Sequence, residues 1–171
     1  MNCTYLGDET FYNCLSLESL GDTSKIEYIG DYDMFVHCKS LKINVNLPNL
    51  TTLNGSFSGS GILNIISLGT VITLDNNFTN CKNLKTVILP ETLTSITGQI
   101  FDSCSSLLWI KLLSETVVSL TNIWWADSTN STFKIYVPDD LVESYKVATN
   151  WSNRASQISA LSTFATDFPN G

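Results

Sequence analysis

Apolar residues fall in short clusters at regular spacing along this chain, separated by stretches rich in Ser, Thr, Asn and Gly. Phe11-Tyr-Asn-Cys14-Leu-Ser-Leu17 is followed by Phe35-Val-His-Cys38-Lys-Ser-Leu41 and Phe57-Ser-Gly-Ser60-Gly-Ile-Leu63. Phe78-Thr-Asn-Cys81-Lys-Asn-Leu84 and Phe101-Asp-Ser-Cys104-Ser-Ser-Leu107 complete the series. The phrase is F-x-x-C-x-x-L, and only Ser60 breaks its cysteine column. Successive phenylalanines lie 21 to 24 residues apart. A period in this range marks a solenoid, because one such unit cannot bury its own apolar face and must stack on its neighbours.

Within repeat four, Leu84-x-x-Val87-x-Leu89 predicts a short strand with its apolar residues inward. Pro90 ends it, since proline has no N–H for a ladder. Leu93 and Ile96 form a second inward pair on the return path, and Gly98 permits the turn that follows. Repeat five fills the same slots with Leu107, Ile110 and Leu112, then Val117, Val118 and Leu120. Repeat three does so with Leu63, Ile66 and Leu68, then Val71, Ile72 and Leu74. Repeat two carries one extra residue before Leu47-Pro48, which leaves open whether Ile43 or Val45 points out. Repeat one lacks the proline and offers Leu17 and Leu20, then Ile26, Tyr28 and Ile29. Tyr5-Leu6-Gly-Asp-Glu-Thr-Phe11 matches the second half of a unit, as Ser95-Ile96-Thr-Gly-Gln-Ile-Phe101 does. The first stacking face, with Leu6, Phe11, Leu17 and Leu20, is therefore expected to be an assembly edge covered by another chain.

The full phrase F-x-x-C-x-x-L-x-x-I-x-L-P-x-x-L-T-x-I resembles the BspA-like (Treponema pallidum type) class of leucine-rich repeats. The resemblance covers about residues 5–120. It implies a curved β-rich solenoid of about five leucine-rich repeats with a parallel sheet on one face. It also implies a surface-exposed or secreted adhesion or ligand-binding module of the kind found in gut and oral bacteria, gut protozoa and some phages.

Beyond residue 130 the pattern changes. Phe133-Lys-Ile135-Tyr-Val137-Pro138 reads as a last strand, and Asp139-Asp140 as the start of a helix, where acids suit the N-terminus. Leu141, Tyr145, Ala148 and Trp151 make one apolar helical face. The segment Ile135-Tyr-Val-Pro-Asp-Asp-Leu141 onward also resembles the terminal segment of bacterial and phage members of this class. The predicted organisation is a solenoid over residues 1–132, a strand-helix cap of the same domain over 133–161, and a tail or linker over 162–171. Phe164 and Phe168 are the tail residues able to pack back.

Charge narrows the function. Sixteen acidic against nine basic residues give a net charge of −7, which argues against a nucleic-acid partner. No stretch of about 18 apolar residues predicts membrane insertion. The N-terminus has neither a basic start nor an apolar run, so it is no signal peptide; the expected location is nonetheless extracellular, on a bacterial surface or a phage virion. Of the five cysteines, the four in the column, Cys14, Cys38, Cys81 and Cys104, read as inward apolar plugs rather than a disulfide framework. One His and no C-x-x-C pair give no metal site, and Asp31-Tyr-Asp33 is only a hint of a calcium loop. His37 occupies the slot held by Asn13, Gly59, Asn80 and Ser103, which makes it a turn residue. With no nucleophile motif and no phosphate loop, no catalytic residues and no cofactor are assigned. Six N-x-S/T sequons, at Asn2, Asn49, Asn54, Asn77, Asn130 and Asn150, are unremarkable in so Asn-rich a chain.

What remains is surface. Counting between the inward leucines puts Ile65 and Ser67, Thr86 and Ile88, and Trp109 and Lys111 on the outer face of the sheet. Ile65, Ile88 and Trp109 would make an exposed apolar ladder, unless the tail or Trp124-Trp125 folds over it. The expected function is non-enzymatic recognition of a protein or glycan ligand through this face. The alternative is a structural subunit of a phage virion or surface assembly, making protein contacts with other subunits. A third reading is carbohydrate binding by Trp109, Trp124 and Trp125.

Overall fold

The computed structural model describes residues 3–30, 33–54, 57–122, 125–126 and 131–169. Asn2, Asp31, Trp124 and Asn130, named above, lie outside the described residues. The strands run β1 (Tyr5–Leu6), β2 (Tyr28–Ile29), β3 (Asn44–Asn46), β4 (Thr52–Leu53), β5 (Asn64–Ser67) and β6 (Thr73–Asp75). They continue with β7 (Thr86–Leu89), β8 (Ser95–Thr97), β9 (Trp109–Leu112), β10 (Ser119–Leu120), β11 (Lys134–Val137) and β12 (Ile158–Ala160). Every pairing is parallel, and six strands form the main sheet in the order β3-β5-β7-β9-β11-β12. The return strands form two smaller sheets, β1-β2-β4 and β6-β8-β10. This is the β-rich repeat solenoid that the period implies.

The phenylalanines stack into one ladder through the interior. Phe11, Phe35, Phe57, Phe78 and Phe101 follow one another at centroid distances of 5.4, 4.9, 5.6 and 5.8 Å with nearly parallel rings. Trp125 closes the ladder edge-on to Phe101 at 6.2 Å. The next slot turns the chain. Asn13, His37, Gly59, Asn80 and Ser103 all have φ between 55° and 66°, a left-handed region that Asn and Gly reach at least strain. The N–H groups of the first four donate to carbonyls of the following coil: Val36, Ser58, Thr79 and Asp102. His37 is thus held by its backbone, as expected of a turn residue.

The cysteine that follows explains its own column. The thiols of Cys38, Cys81 and Cys104 donate to the carbonyls of Phe11, Phe57 and Phe78, each on the preceding coil, at 3.0, 3.0 and 3.1 Å. A thiol in this slot is both an apolar filler and a donor that satisfies a buried carbonyl. Burial pushes the Cys38 thiol above its ordinary pKa, and the neighbouring Cys81 thiol together with burial does the same to Cys104. Cys14 is only half-buried and Cys3 is exposed.

The register departs from the simple count in repeats three and one, and the open choice in repeat two is resolved. In repeat three the turn is one residue short, so Ile62 rather than Leu63 takes the buried leucine slot. The strand restores the count with a bulge: Val45 pairs Ile65, whereas Asn46 pairs Ser67. Ile65 therefore points inward, 1% exposed, and Ile66 outward, 45% exposed, the reverse of the simple count. Ile72 is exposed as well. In repeat two, Val45 is the inward residue and Ile43 is half-buried. Repeat one contributes no strand to the main sheet, which begins at β3; Thr23 Oγ1 instead donates to the Asn46 carbonyl at 3.0 Å.

The C-terminal element also departs from its expected form. Helix α1 (Val142–Val147) follows a 3-10 turn at Asp139–Leu141 and stops at Ala148, which is extended. Trp151 starts a separate 3-10 segment, so the four-residue apolar face is split between two elements. Asp139 does not cap its own helix; its Oδ1 accepts from the Ser162 N–H at 3.0 Å, which lowers its pKa. Tyr145 and Trp151 are nonetheless buried against repeat five. Val118 N–H donates to Tyr145 Oη at 3.0 Å, Trp151 Nε1 donates to Val118 O at 2.7 Å, and Asn150 Nδ2 donates to Leu120 O at 2.6 Å. Ser119 and Thr121 point their N–H groups to the neighbouring coil, so these side chains satisfy the outward-facing edge of β10. Side chains thereby block an edge that would otherwise template another strand.

Candidate functional site

The outer face of the main sheet carries two rows of side chains. In the first, Asn44, Asn64, Thr86, Trp109 and Lys134 are in register. Asn64 Nδ2 donates to Asn44 Oδ1 at 2.7 Å, and Thr86 Oγ1 donates to Asn64 Oδ1 at 2.6 Å. The row is thus a hydrogen-bonded polar ladder that ends at a tryptophan. In the second row Ile88 pairs Lys111, which pairs Tyr136. The expected apolar ladder of Ile65, Ile88 and Trp109 does not form, because the bulge turns Ile65 inward and Ile88 stands in the other row.

The segment after β12 crosses this face. A 3-10 turn at Leu161–Thr163 leads into α2 (Phe164–Asp167). Phe164 meets Trp109 edge-on at 4.9 Å and Tyr136 at 5.1 Å, and Phe168 stacks on Phe164 at 5.5 Å. Lys111 Nζ lies 3.3 Å from the Phe164 ring centroid, and desolvation lowers its pKa. Tyr136 Oη donates to Asp167 Oδ2 at 2.6 Å; burial and this carboxylate push the phenol up. Residues 162–169 therefore lie on the sheet instead of trailing as a linker, and Trp109 is buried beneath them. Trp125 is buried in the core between Phe101, Phe133 and Trp151. Neither tryptophan can stack on a sugar, which removes the carbohydrate reading that needed them; Trp124 lies outside the described residues.

Beside the strap an open groove remains. Asn64, Thr86, Ile66, Ile88 and Leu108 line one side, and Asp167, Phe168 and Pro169 the other. Ile66 and Leu108 are 45% and 41% exposed. Thr86, Ile88, Ser67 and Lys111 are half-buried, so these four expected face residues do reach the outer surface. Asn64, Ile66, Leu108 and the Phe168-Pro169 rim are missed by counting from the leucines; a one-residue deficit in the Ser60-Gly61-Ile62 turn is the signal that would have found Ile66. At the other end, Leu6, Phe11, Leu17 and Leu20 are half-buried against the core, with β1 at the sheet edge. Tyr5 and Leu15 beside them are 59% and 50% exposed.

A scan against protein-family profiles matches residues 4–132 to the BspA type leucine rich repeat region, in six copies. The chain belongs to the BspA-type leucine-rich repeat family. This BspA-type solenoid has one profile copy more than its five phenylalanine-headed phrases. No curated protein matches it. BspA-type repeats are protein-interaction modules, which suits a site made of surface rather than of catalytic groups. No helix among the described residues of this BspA-type chain is long and apolar enough to cross a membrane.

Proposed function

We propose that this chain is a non-enzymatic recognition module, displayed outside the cell on a bacterial surface or a phage particle, that binds a protein or glycan ligand through its sheet face. One observation carries the reading: the groove between the hydrogen-bonded Asn64-Thr86 ladder and the Phe168-Pro169 rim is lined by both Ile66 and Leu108, and each is left exposed. An apolar patch of this kind rimmed by polar groups marks interaction sites. Ile66→Asp/Leu108→Asp leaves the core untouched and should keep the wild-type melting curve. Screened on a glycan array and a panel of purified secreted proteins, any ligand held by the wild type should be lost by the variant. Ligands retained by the variant would move the site off this face.

The half-buried edge at Leu6, Phe11, Leu17 and Leu20 favours a second reading, a structural subunit of a virion or surface assembly. An open strand edge with apolar side chains invites a partner. Under this reading light scattering of the purified chain shows oligomers, and Leu6→Asp/Leu20→Asp dissociates them while repeats three to five stay folded. A wild-type monomer at high concentration with residues 3–20 protected from hydrogen exchange would dismiss it.

A further inference from the structure

In this acidic chain, Asp75 is the one acidic residue between positions 34 and 90. Four of the nine basic residues, Lys39, Lys42, Lys82 and Lys85, fall in that stretch together with His37. The fold gathers what the sequence spreads out. Lys39 and Lys82 each follow the column cysteine, and Lys42 and Lys85 follow the strand leucine, in repeats two and four. All four are exposed, and none forms an ion pair among the described residues. Asp75 sits on the return strand β6, with its carboxylate accepting from Asn76 Nδ2 at 2.9 Å.

Repeat three, between the two lysine-bearing coils, has the short turn. Its Gly59-Ser60-Gly61 stretch forms the floor of a notch whose walls are His37 and Lys39 on one side and Asn80, Lys82 and Asn83 on the other. The backbone of the neighbouring coil leaves no room for a side chain at Gly61, and one at Gly59 would press on His37. A Cβ at Gly61 would lie 2.3 Å from the Lys39 carbonyl oxygen, and one at Gly59 2.7 Å from His37 Nδ1. The wall-bearing coils are two strand spacings apart, about 10 Å, which accommodates one sugar ring with a charged substituent.

We propose that this notch is a binding site for an anionic sugar, with Lys39 and Lys82 closing on its carboxylate or sulfate from opposite walls. An ammonium group on each side suits an oxyanion, and charge-assisted hydrogen bonds are the stronger class. The amides of Asn80 and Asn83 both donate and accept, as sugar hydroxyls require. Tyr12, tilted against His37 at 6.3 Å, adds an exposed aromatic at the border. A long polyanion is disfavoured, because the basic patch is short. Glu9 at the turn of the first unit, Asp33 at the same turn position of the Lys39 coil and Asp102 at the turn of repeat five flank it, so a nucleic acid tracking the coils would meet like charge.

The test is calorimetric titration at low salt, where such contacts are least screened. The probes are a heparin-derived tetrasaccharide, trigalacturonate, neutral maltotetraose, inorganic sulfate and a short single-stranded DNA. Both charged oligosaccharides should bind and maltotetraose should not. Lys39→Gln/Lys82→Gln should weaken that binding by at least about tenfold, as loss of two charge-assisted contacts does, while Lys146→Gln on the distant cap changes nothing. Both lysines are exposed and unpaired, so circular dichroism should report an unaltered fold; either single variant serves if it does not. No binding of the charged sugars, or equal binding by both variants, overturns the site. DNA binding tighter than the sugars makes it a nucleic-acid patch instead, and sulfate binding as tightly as the sugars removes the sugar assignment.

Discussion

Deletion of residues 133–171 should turn a soluble, cooperatively folding chain into one that aggregates. Phe133, Ile135, Val137, Tyr145, Trp151 and Ile158 belong to the same continuous core as the repeats. Each large apolar side chain buried there contributes about 1.5–3 kcal/mol. Six of them together rival the roughly 5–15 kcal/mol by which a domain is stable at all. Their removal uncovers Trp125 and Ile110, strips the outer edge of β9, and leaves the Val118 N–H and the Val118 and Leu120 carbonyls without the side chains that bond them. Light scattering and calorimetry read the outcome directly. A truncated chain that stays monomeric and melts in one transition would show that the repeats close their own end.

Phe78→Ala should cost about 3–5 kcal/mol, the range for truncating a buried aromatic. Phe78 is fully buried at the centre of the ladder, 5.6 Å from Phe57 and 5.8 Å from Phe101. Neither neighbour is free to collapse into the space: the Cys81 thiol donates to the Phe57 carbonyl, and Phe101 is held by its N–H bond to the Trp125 carbonyl at 2.7 Å and by the Trp125 ring edge-on. Chemical denaturation of the variant gives the number. A loss below about 1 kcal/mol would mean that the ladder is not the structural axis of the stack.

These two predictions rest on features that were legible in the sequence. The F-x-x-C-x-x-L phrase recurs because the interior demands an aromatic, a left-handed turn residue and a small donor in fixed order, and each demand leaves a letter. The outward residues leave none. Ile65 and Ile66 are adjacent, and identity cannot say which is inside; that depends on a turn one residue short being offset by a bulge within the same coil. Trp109 lies on the outer face as expected, yet its burial depends on Phe164 and Phe168, more than 50 residues downstream in a segment with no periodicity to announce it. The lysine notch was hidden for the same reason. Charges that look scattered along the chain are adjacent only once the coils are stacked.

The side-chain bonds on β10 give the stack a polarity. A pile of equivalent coils could be lengthened from either end. Here the end at β10 is sealed by three hydrogen bonds, Tyr145 Oη accepting from the Val118 N–H while Asn150 and Trp151 donate to the Leu120 and Val118 carbonyls, and an incoming strand would have to displace all three. Whole coils can be added upstream of that strand, each resting on the thiol and phenylalanine of the one before. A coil grafted after residue 161 would find the return-strand template at β10 already occupied, so the return sheet can be continued only from its upstream side.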